Sequence, residues 1–212
     1  MPVSAAEELD RILPVIEALR NERIPLSVDT FKPEVMRQVI AAGVDMINDV
    51  YGFRREGAIE AVSGARCALC VMHMQGEPKT MQQAPRYSDV VAEVGQFLAQ
   101  RAEALRQGGV AANRIVLDPG FGFGKTVEQN YLLLRQLRDL CSQGYPWLLG
   151  LSRKSMIGHV VGRDPCERVA GSVAAALAGI ARGAHIVRVH DVAETVDAVK
   201  VWRAIEYGVS NV

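Results

Sequence analysis

The feature that most constrains this chain is a short apolar, β-branched segment that ends abruptly in an acid. Residues 114–118 end at Asp118, and Pro119 and a glycine-rich stretch follow at once. Such a run predicts a strand that is buried on both faces. The strand stops there because proline has no N–H for the ladder and the glycines allow a sharp turn. Asp118 is then either a side chain that reaches a ligand from a rigid strand end or a cap of the next helix.

The same pattern recurs along the chain, which favours the first interpretation. Other strand-like runs end in polar residues, at Asp29, Asn48, His73, Ser152 and His190. Segments with helical periodicity separate these runs. Strands that alternate with helices indicate parallel βα units, and in such folds the functional site lies at the carboxyl ends of the strands. We therefore expect an α/β fold with six strands whose polar ends meet at one site.

Composition limits the classes of protein that need to be considered. A chain of 212 residues can build one α/β domain with a sizeable core, so we expect a single domain over residues 1–212. The formal charge is zero, which does not suggest binding to nucleic acid or to an anionic membrane. No apolar run has membrane-spanning length, and the four cysteines fit a reducing compartment. A cytoplasmic protein is expected.

A second concentration of polar groups lies where a strand passes into a helix. Residues 152–155 combine two hydroxyls with two cations. Cations are unfavourable at a helix N-terminus, so their presence there predicts a bound anion. Farther on, Arg188 and His190 are two residues apart in a predicted strand and should share one of its sides.

Two further segments admit both a structural and a functional interpretation. Asn48 and Asp49 follow a strand, where they predict either an Asx turn or an amide that presents a donor and an acceptor to a heterocycle. Residues 73–85 form the longest irregular stretch and predict a lid or binding loop. A lone histidine such as His73 is more often structural than catalytic.

Six motifs resemble the dihydropteroate synthase family, the bacterial folate-pathway enzymes that sulfonamides target. They appear in that family's order and spacing, and the resemblance covers residues 4–207. The motifs are Ser27-Val-Asp-Thr30, Ile47-Asn-Asp49, Val71-Met-His-Met-Gln-Gly76, Leu117-Asp-Pro-Gly-Phe-Gly-Phe-Gly-Lys125, Ser152-Arg-Lys-Ser155 and Arg188-Val-His190.

This resemblance implies a (β/α)8 barrel of the TIM type. It also implies condensation of 6-hydroxymethyl-7,8-dihydropterin pyrophosphate with p-aminobenzoate, which gives 7,8-dihydropteroate and pyrophosphate. Mg²⁺ would be the cofactor, the partners would be these small molecules, and a homodimer is expected.

Carried over by position, the resemblance assigns a role to ten residues. The pterin would contact Asp29, Asn48, Met72, Asp118, Phe123 and Lys154. Arg188 and His190 would hold the pyrophosphate. Ser155, with Ser152 nearby, would receive the carboxylate of p-aminobenzoate.

One departure from the family pattern concerns the amino-terminal side. The family has two further βα units upstream of Ser4, including a loop whose asparagine is a magnesium ligand, and neither occurs here. We therefore expect an N-terminally incomplete barrel with six of eight βα units, no metal ligand in this chain, and exposed edges on the first and last strands that favour self-association. The alternatives are a pterin-binding fragment without turnover and a related pterin-binding methyltransferase barrel.

Overall fold

Helices and strands alternate along the chain as the periodicity predicts. The structure, a computed structural model, describes residues 3–76, 81, 85–141 and 144–211. Its residues cluster into two compact lobes. Lobe 1 comprises Met1–Met74 and Gln96–Asp118, and lobe 2 comprises Gln75–Gly95 and Pro119–Val212. A single domain over residues 1–212 stays a prediction.

Lobe 1 contains a parallel sheet with helices between its strands. The sheet order is β1-β2-β3-β4, so each strand pairs with the next one along the chain. The elements are α1 (Ala5–Leu19), β1 (Ser27–Asp29), α2 (Pro33–Ala41), β2 (Met46–Asp49), α3 (Ala58–Val62), β3 (Ala68–Met72), α4 (Val90–Gln107), which begins in lobe 2, and β4 (Ile115–Asp118).

Local sequence explains where these elements begin. The Ser4 hydroxyl accepts a hydrogen bond from Glu7 N at 3.1 Å and caps α1. Proline starts α2, where its missing N–H costs nothing. The Arg114 guanidinium donates to the carbonyl oxygens of Val62, Ser63 and Cys67, at 3.2, 3.3 and 2.8 Å, and so ties the end of α3 to the approach to β3.

The core of lobe 1 lies between the sheet and its helices. Strands β3 and β4 are almost entirely buried, as the continuous apolar runs predict. By contrast, β1 lies at the edge of the sheet, and Ser27 and Asp29 are exposed. The fully buried apolar side chains include Val35, Met36, Val39, Ile47, Leu69, Val71, Leu105, Ile115 and Leu117.

Lobe 2 contains a two-stranded parallel sheet, β5-β6, packed among helices. Trp147, directly before β5, is fully buried. Thr126 forms a capping box with Gln129 at the start of α5. The elements are α5 (Val127–Arg135), α6 (Leu137–Leu140), β5 (Leu148–Leu149), α7 (Ser155–Val161), α8 (Val169–Ile180), β6 (Ile186–Val187) and α9 (Val192–Tyr207).

One sequence prediction differs from the structure in detail, and another lies mostly outside the described residues. Strand β6 ends at Val187, so Arg188 and His190 lie beyond it and the alternation of strand side chains does not determine where they point. The predicted lid or binding loop, residues 73–85, falls largely on residues 77–80 and 82–84, which lie outside the described residues.

Candidate functional site

The polar residues predicted at the strand ends of lobe 1 do meet at one end of the sheet. Asp29 is the last residue of β1 and pairs with Asn48 on β2. Met72 and Asp118 are the last residues of β3 and β4 and pair with each other. The parallel register therefore places these four predicted pterin-binding residues at the carboxyl ends of four neighbouring strands.

Asn48 is buried but only half satisfied. Its side-chain Nδ2 donates to Asp29 Oδ2 at 2.8 Å. Its Oδ1 is buried and has no hydrogen-bond partner among the described residues, although Asn48 is only 2% exposed. Buried polar atoms are nearly always paired, so an unpaired acceptor at a strand end points to a donor on a ligand.

The Asx turn predicted for this segment belongs to the neighbouring residue, Asp49. Its two carboxylate oxygens accept from Tyr51 N at 2.7 Å and Phe53 N at 2.8 Å. From the other side, Arg101 donates to the carbonyl oxygens of Gly52 and Phe53, at 2.8 and 2.7 Å. Burial raises the pKa of Asp49 to about 6, because the surrounding protein disfavours the charged carboxylate. Thus Asp49 shapes the loop, while Asn48 keeps an acceptor available.

Asp118 is not a helix cap. It is only 1% exposed, and the next helix, α5, is capped by Thr126. Its backbone oxygen accepts from His73 N at 3.0 Å.

The His73 ring is buried and packs edge-to-face on Phe97, with ring centroids 4.9 Å apart, which fits the structural interpretation of this histidine.

In lobe 2 the glycine-rich loop is fixed by two buried polar side chains that sequence reasoning missed. The Lys125 ammonium donates to the carbonyl oxygens of Gly120 and Phe123, at 2.9 and 3.0 Å. Asn130 accepts from Gly122 N at 2.7 Å. Lys125 ends one of the six motifs and Asn130 belongs to none, and the roles of both could not be predicted because they act on backbone groups whose positions only the folded loop defines.

Lys154 reaches this loop from the start of α7. Its ammonium donates to the Phe121 carbonyl and lies 4.6 Å from the centroid of the Phe123 ring. The predicted pterin contacts Phe123 and Lys154 are therefore neighbours in lobe 2, joined by a cation–π contact.

The predicted anion-binding residues also gather in lobe 2. Ser152 is buried, and its hydroxyl accepts from His190 N at 3.2 Å and lies 2.9 Å from His190 Nδ1. Arg188 is exposed. Its side chain passes close to Gly150, since a Cβ added to that glycine would lie 3.1 Å from Arg188 Nη2. Ser155 is the first residue of α7 and is exposed.

One of the two cations that predicted an anion here is already paired. Arg153 forms a two-pronged ion pair with Asp191, through Nε to Oδ2 at 3.1 Å and through Nη2 to Oδ1. The hydrogen bond from Arg153 lowers the pKa of the Asp191 carboxyl below its usual value. Arg153 is therefore engaged within the protein by Asp191, and the bound anion expected at residues 152–155 stays a prediction.

The described residues contain neither a cluster of metal ligands nor a membrane-spanning helix. Within residues 3–76, 81, 85–141 and 144–211, no three His, Cys, Asp or Glu side chains are grouped so that they could hold a metal ion. Across the same part of the chain, every helix is too short or too polar to cross a bilayer.

Comparison with known proteins identifies the family. The family model described as "Pterin binding enzyme" matches residues 1–190. Dihydropteroate synthase of Escherichia coli K12 is 47% identical over 203 residues, which cover 95% of this chain and 72% of that enzyme.

Solved structures agree with this match. Burkholderia cenocepacia dihydropteroate synthase, complexed with 7,8-dihydropteroate, is 58% identical with a TM-score of 0.92, and the match covers 97% of this chain and 76% of that one. The Xanthomonas albilineans enzyme with 4-aminobenzoic acid is 52% identical with a TM-score of 0.92, covering 98% and 74%. The predicted fold class is confirmed: the fold is of the (β/α)8-barrel type, and the described residues contain six of its strands. The chain belongs to the dihydropteroate synthase family of pterin-binding enzymes.

Proposed function

We propose that this chain condenses 6-hydroxymethyl-7,8-dihydropterin pyrophosphate with p-aminobenzoate and releases 7,8-dihydropteroate and pyrophosphate. Two relatives named above were solved with 7,8-dihydropteroate and with 4-aminobenzoic acid, the product and one substrate of this reaction. Because the named relatives are synthases, they favour this reaction over that of a pterin-binding methyltransferase.

The observation that carries the proposal is the half-satisfied amide of Asn48. A pterin ring has an amide-like edge on which donors and acceptors alternate. Asn48 Oδ1 lacks a donor among the described residues, and Asp118, also buried, ends a strand of the same sheet. A carboxylate and an amide oxygen accept hydrogen bonds from ring N–H and exocyclic amine groups, which is the complementarity that a pterin requires.

The other predicted residues receive matching roles in this proposal. In lobe 1, Asp29 orients Asn48 and Met72 offers apolar contact. In lobe 2, Lys154 donates to the carbonyl-bearing edge of the pterin and Phe123 contacts its ring. Arg188 and His190 bind the pyrophosphate, and Ser155, with Ser152 nearby, receives the p-aminobenzoate carboxylate.

These roles fit the charge that develops during the reaction. Departure of pyrophosphate leaves positive charge on the pterin methylene and negative charge on the leaving group. Asp29 and Asp118 stabilise the first, while Arg188 and His190 stabilise the second. The aromatic amine then attacks the methylene carbon, so the reaction requires no nucleophile from the protein.

Magnesium remains a prediction that rests on the resemblance. When bound, Mg²⁺ would supply positive charge to the pyrophosphate oxygens. The described residues do not fit a metal site built from protein ligands alone, since they contain no group of three suitable side chains.

A homodimer is proposed on the basis of a groove on lobe 2. The groove, between α5, α7 and α8, has a volume of about 810 Å³ and a largely apolar lining that includes Ile157, Val160 and Val161. Val160 is 66% exposed. Glu128 and Arg135 lie at opposite ends of α5 along its edge, so a second copy packed in the reverse direction would pair their charges.

The proposed function is tested by the replacement Asn48→Leu. Leucine keeps the approximate volume and removes the unpaired acceptor together with the hydrogen bond to Asp29. Because Asp29 is exposed and water can replace that bond, the free energy of unfolding should stay within about 1 kcal/mol of the parent. Affinity for the pterin pyrophosphate should fall about tenfold to a hundredfold, because a buried hydrogen bond to the ligand is lost. Titration calorimetry measures the affinity, and urea denaturation measures the stability.

Asn130→Leu is the matched control. Asn130 is equally buried, but its side chain is fully engaged, with Gly122 N at 2.7 Å and Thr126 O at 2.7 Å. This control should lose about 1–3 kcal/mol of stability because backbone groups become unpaired. If Asn48→Leu binds the pterin as tightly as the parent does, the proposed site is wrong. Product formation by the parent distinguishes the synthase from a fragment that binds pterin without turnover.

A further inference from the structure

Arg153 is held in an unusual conformation by contacts of both its backbone and its guanidinium. It is one of two described non-glycine residues with positive φ, at +59°. Its backbone N donates to the Ser172 hydroxyl at 2.9 Å, and its carbonyl accepts from Arg168 Nη1 at 2.9 Å. Its guanidinium is engaged by Asp191. A left-handed arginine is strained, and such strain persists only where surrounding contacts impose it.

The partner carboxylate also departs from its local preference. Asp191 is the N-cap residue of α9, a position where an aspartate side chain ordinarily accepts from the N–H groups of the first turn. Here it makes no such bond. Its side chain, only 9% exposed, faces Arg153 instead. The start of α9 thus forgoes a stabilising cap, and the carboxylate is used to hold a loop 38 residues earlier in the chain.

The pair joins the two loops of lobe 2 that carry the anion-binding residues. Arg153 lies between Ser152 and Lys154, and Asp191 directly follows His190. The same two loops meet again where His190 N donates to the Ser152 hydroxyl. We propose that Arg153 and Asp191 are positioning residues, which contact no substrate but fix His190 and Ser152 relative to each other so that pyrophosphate meets a preformed site. This inference rests on the proposed function.

Simple electrostatics predicts the opposite effect when the pair is broken. Asp191 is an anion close to a site for anions, so removing its charge and freeing Arg153 should strengthen pyrophosphate binding. If the pair acts by positioning, removing it should weaken that binding. The sign of the change therefore separates the two explanations.

The backbone contacts of Arg153 predict which ligand is affected. Without Asp191, Ser172 and Arg168 still hold the backbone of residue 153, so Lys154 keeps its place. Residues 188–190 lose the link through Asp191. Pyrophosphate binding should therefore weaken, while binding of the pterin ring should persist.

The test uses Asp191→Asn and Arg153→Lys with Glu194→Gln as the matched control. Glu194 lies in the first turn of the same helix and acts on Arg153 through its charge. Lysine at position 153 keeps the charge but cannot form the two-pronged contact. The probes are inorganic pyrophosphate and 6-hydroxymethyl-7,8-dihydropterin, each titrated calorimetrically into the full chain, with circular dichroism to verify folding.

We expect Asp191→Asn to weaken pyrophosphate binding about tenfold and Arg153→Lys to weaken it severalfold, with pterin binding unchanged within twofold. Glu194→Gln should leave pyrophosphate binding unchanged or slightly tighter. Pyrophosphate binding that is unchanged or tighter in both Asp191→Asn and Arg153→Lys would overturn this inference alone. A parent that binds neither probe would overturn the proposed function, and the inference with it.

Discussion

At the scale of single residues, Asp49 shows how a buried carboxylate can shape a loop and also make the free energy of unfolding depend on pH. It receives two backbone N–H groups, yet its side chain is fully buried and its pKa is raised to about 6. The two hydrogen bonds favour the charged form, and burial opposes it more strongly. At a pH between the ordinary value of 3.8 and about 6, Asp49 is therefore protonated in the folded state and ionised in the unfolded chain.

This difference predicts how stability changes with pH. Between about pH 4 and pH 6 the folded protein binds more protons at Asp49 than the unfolded one, so the free energy of unfolding falls as pH rises. A shift from 3.8 to about 6 corresponds to about 3 kcal/mol over that window. Asp49→Asn removes this contribution. Urea denaturation from pH 4 to pH 7 should show the parent losing stability relative to the variant, and parallel curves would contradict the prediction.

At the scale of elements, the glycine loop of residues 119–125 must leave room for the side chain of Lys154, the residue directly before α7. Gly122 has φ +76°, and an added Cβ would lie 3.1 Å from Lys154 Cδ. Glycine is required there both by its backbone conformation and by the close approach of the lysine stem.

Gly122→Ala should therefore affect both stability and binding. The left-handed φ should cost about 1 kcal/mol, and displacement of Lys154 should weaken pterin binding severalfold. Gly144→Ala is the control, because Gly144 also has φ +76° but no described atom lies within 4 Å of its added Cβ. It should lose similar stability and keep its pterin affinity. Calorimetry and thermal unfolding measure the two effects, and equal pterin affinity in both variants would refute the role given to Gly122.

The elements also show which features could be predicted from the sequence. Strand ends such as Asp118 were predictable because apolar runs, proline and glycine act locally. The roles of Asn48 and Asp49 stayed open, because a turn and a ligand contact require the same residue types. The Arg153–Asp191 pair could not be found, since an ion pair between loops 38 residues apart depends on tertiary structure. Strand β6 proved shorter than predicted, as the chain leaves the sheet after Val187.

At the scale of the whole molecule, the proposed dimer can be separated from association through strand edges. Val160→Glu places a charge in the apolar groove of lobe 2 and should convert a dimer to a monomer, as measured by size-exclusion chromatography with light scattering. Val201→Glu is the control, because Val201 is similarly exposed, at 62%, on α9. Ser27→Lys adds a charge to the edge strand β1. If only this last variant is monomeric, the subunits associate through the sheet edge and the groove is not the interface.

The buried Trp147 gives this protein a spectroscopic asymmetry. Its two tryptophans, Trp147 and Trp202, both belong to lobe 2, whereas lobe 1 has none. Tryptophan emission therefore follows the unfolding of lobe 2, while far-ultraviolet circular dichroism follows the helices of both lobes. A single cooperative domain requires the two signals to change together. A change in circular dichroism that precedes the change in fluorescence would mean that lobe 1 can lose its structure while lobe 2 stays folded.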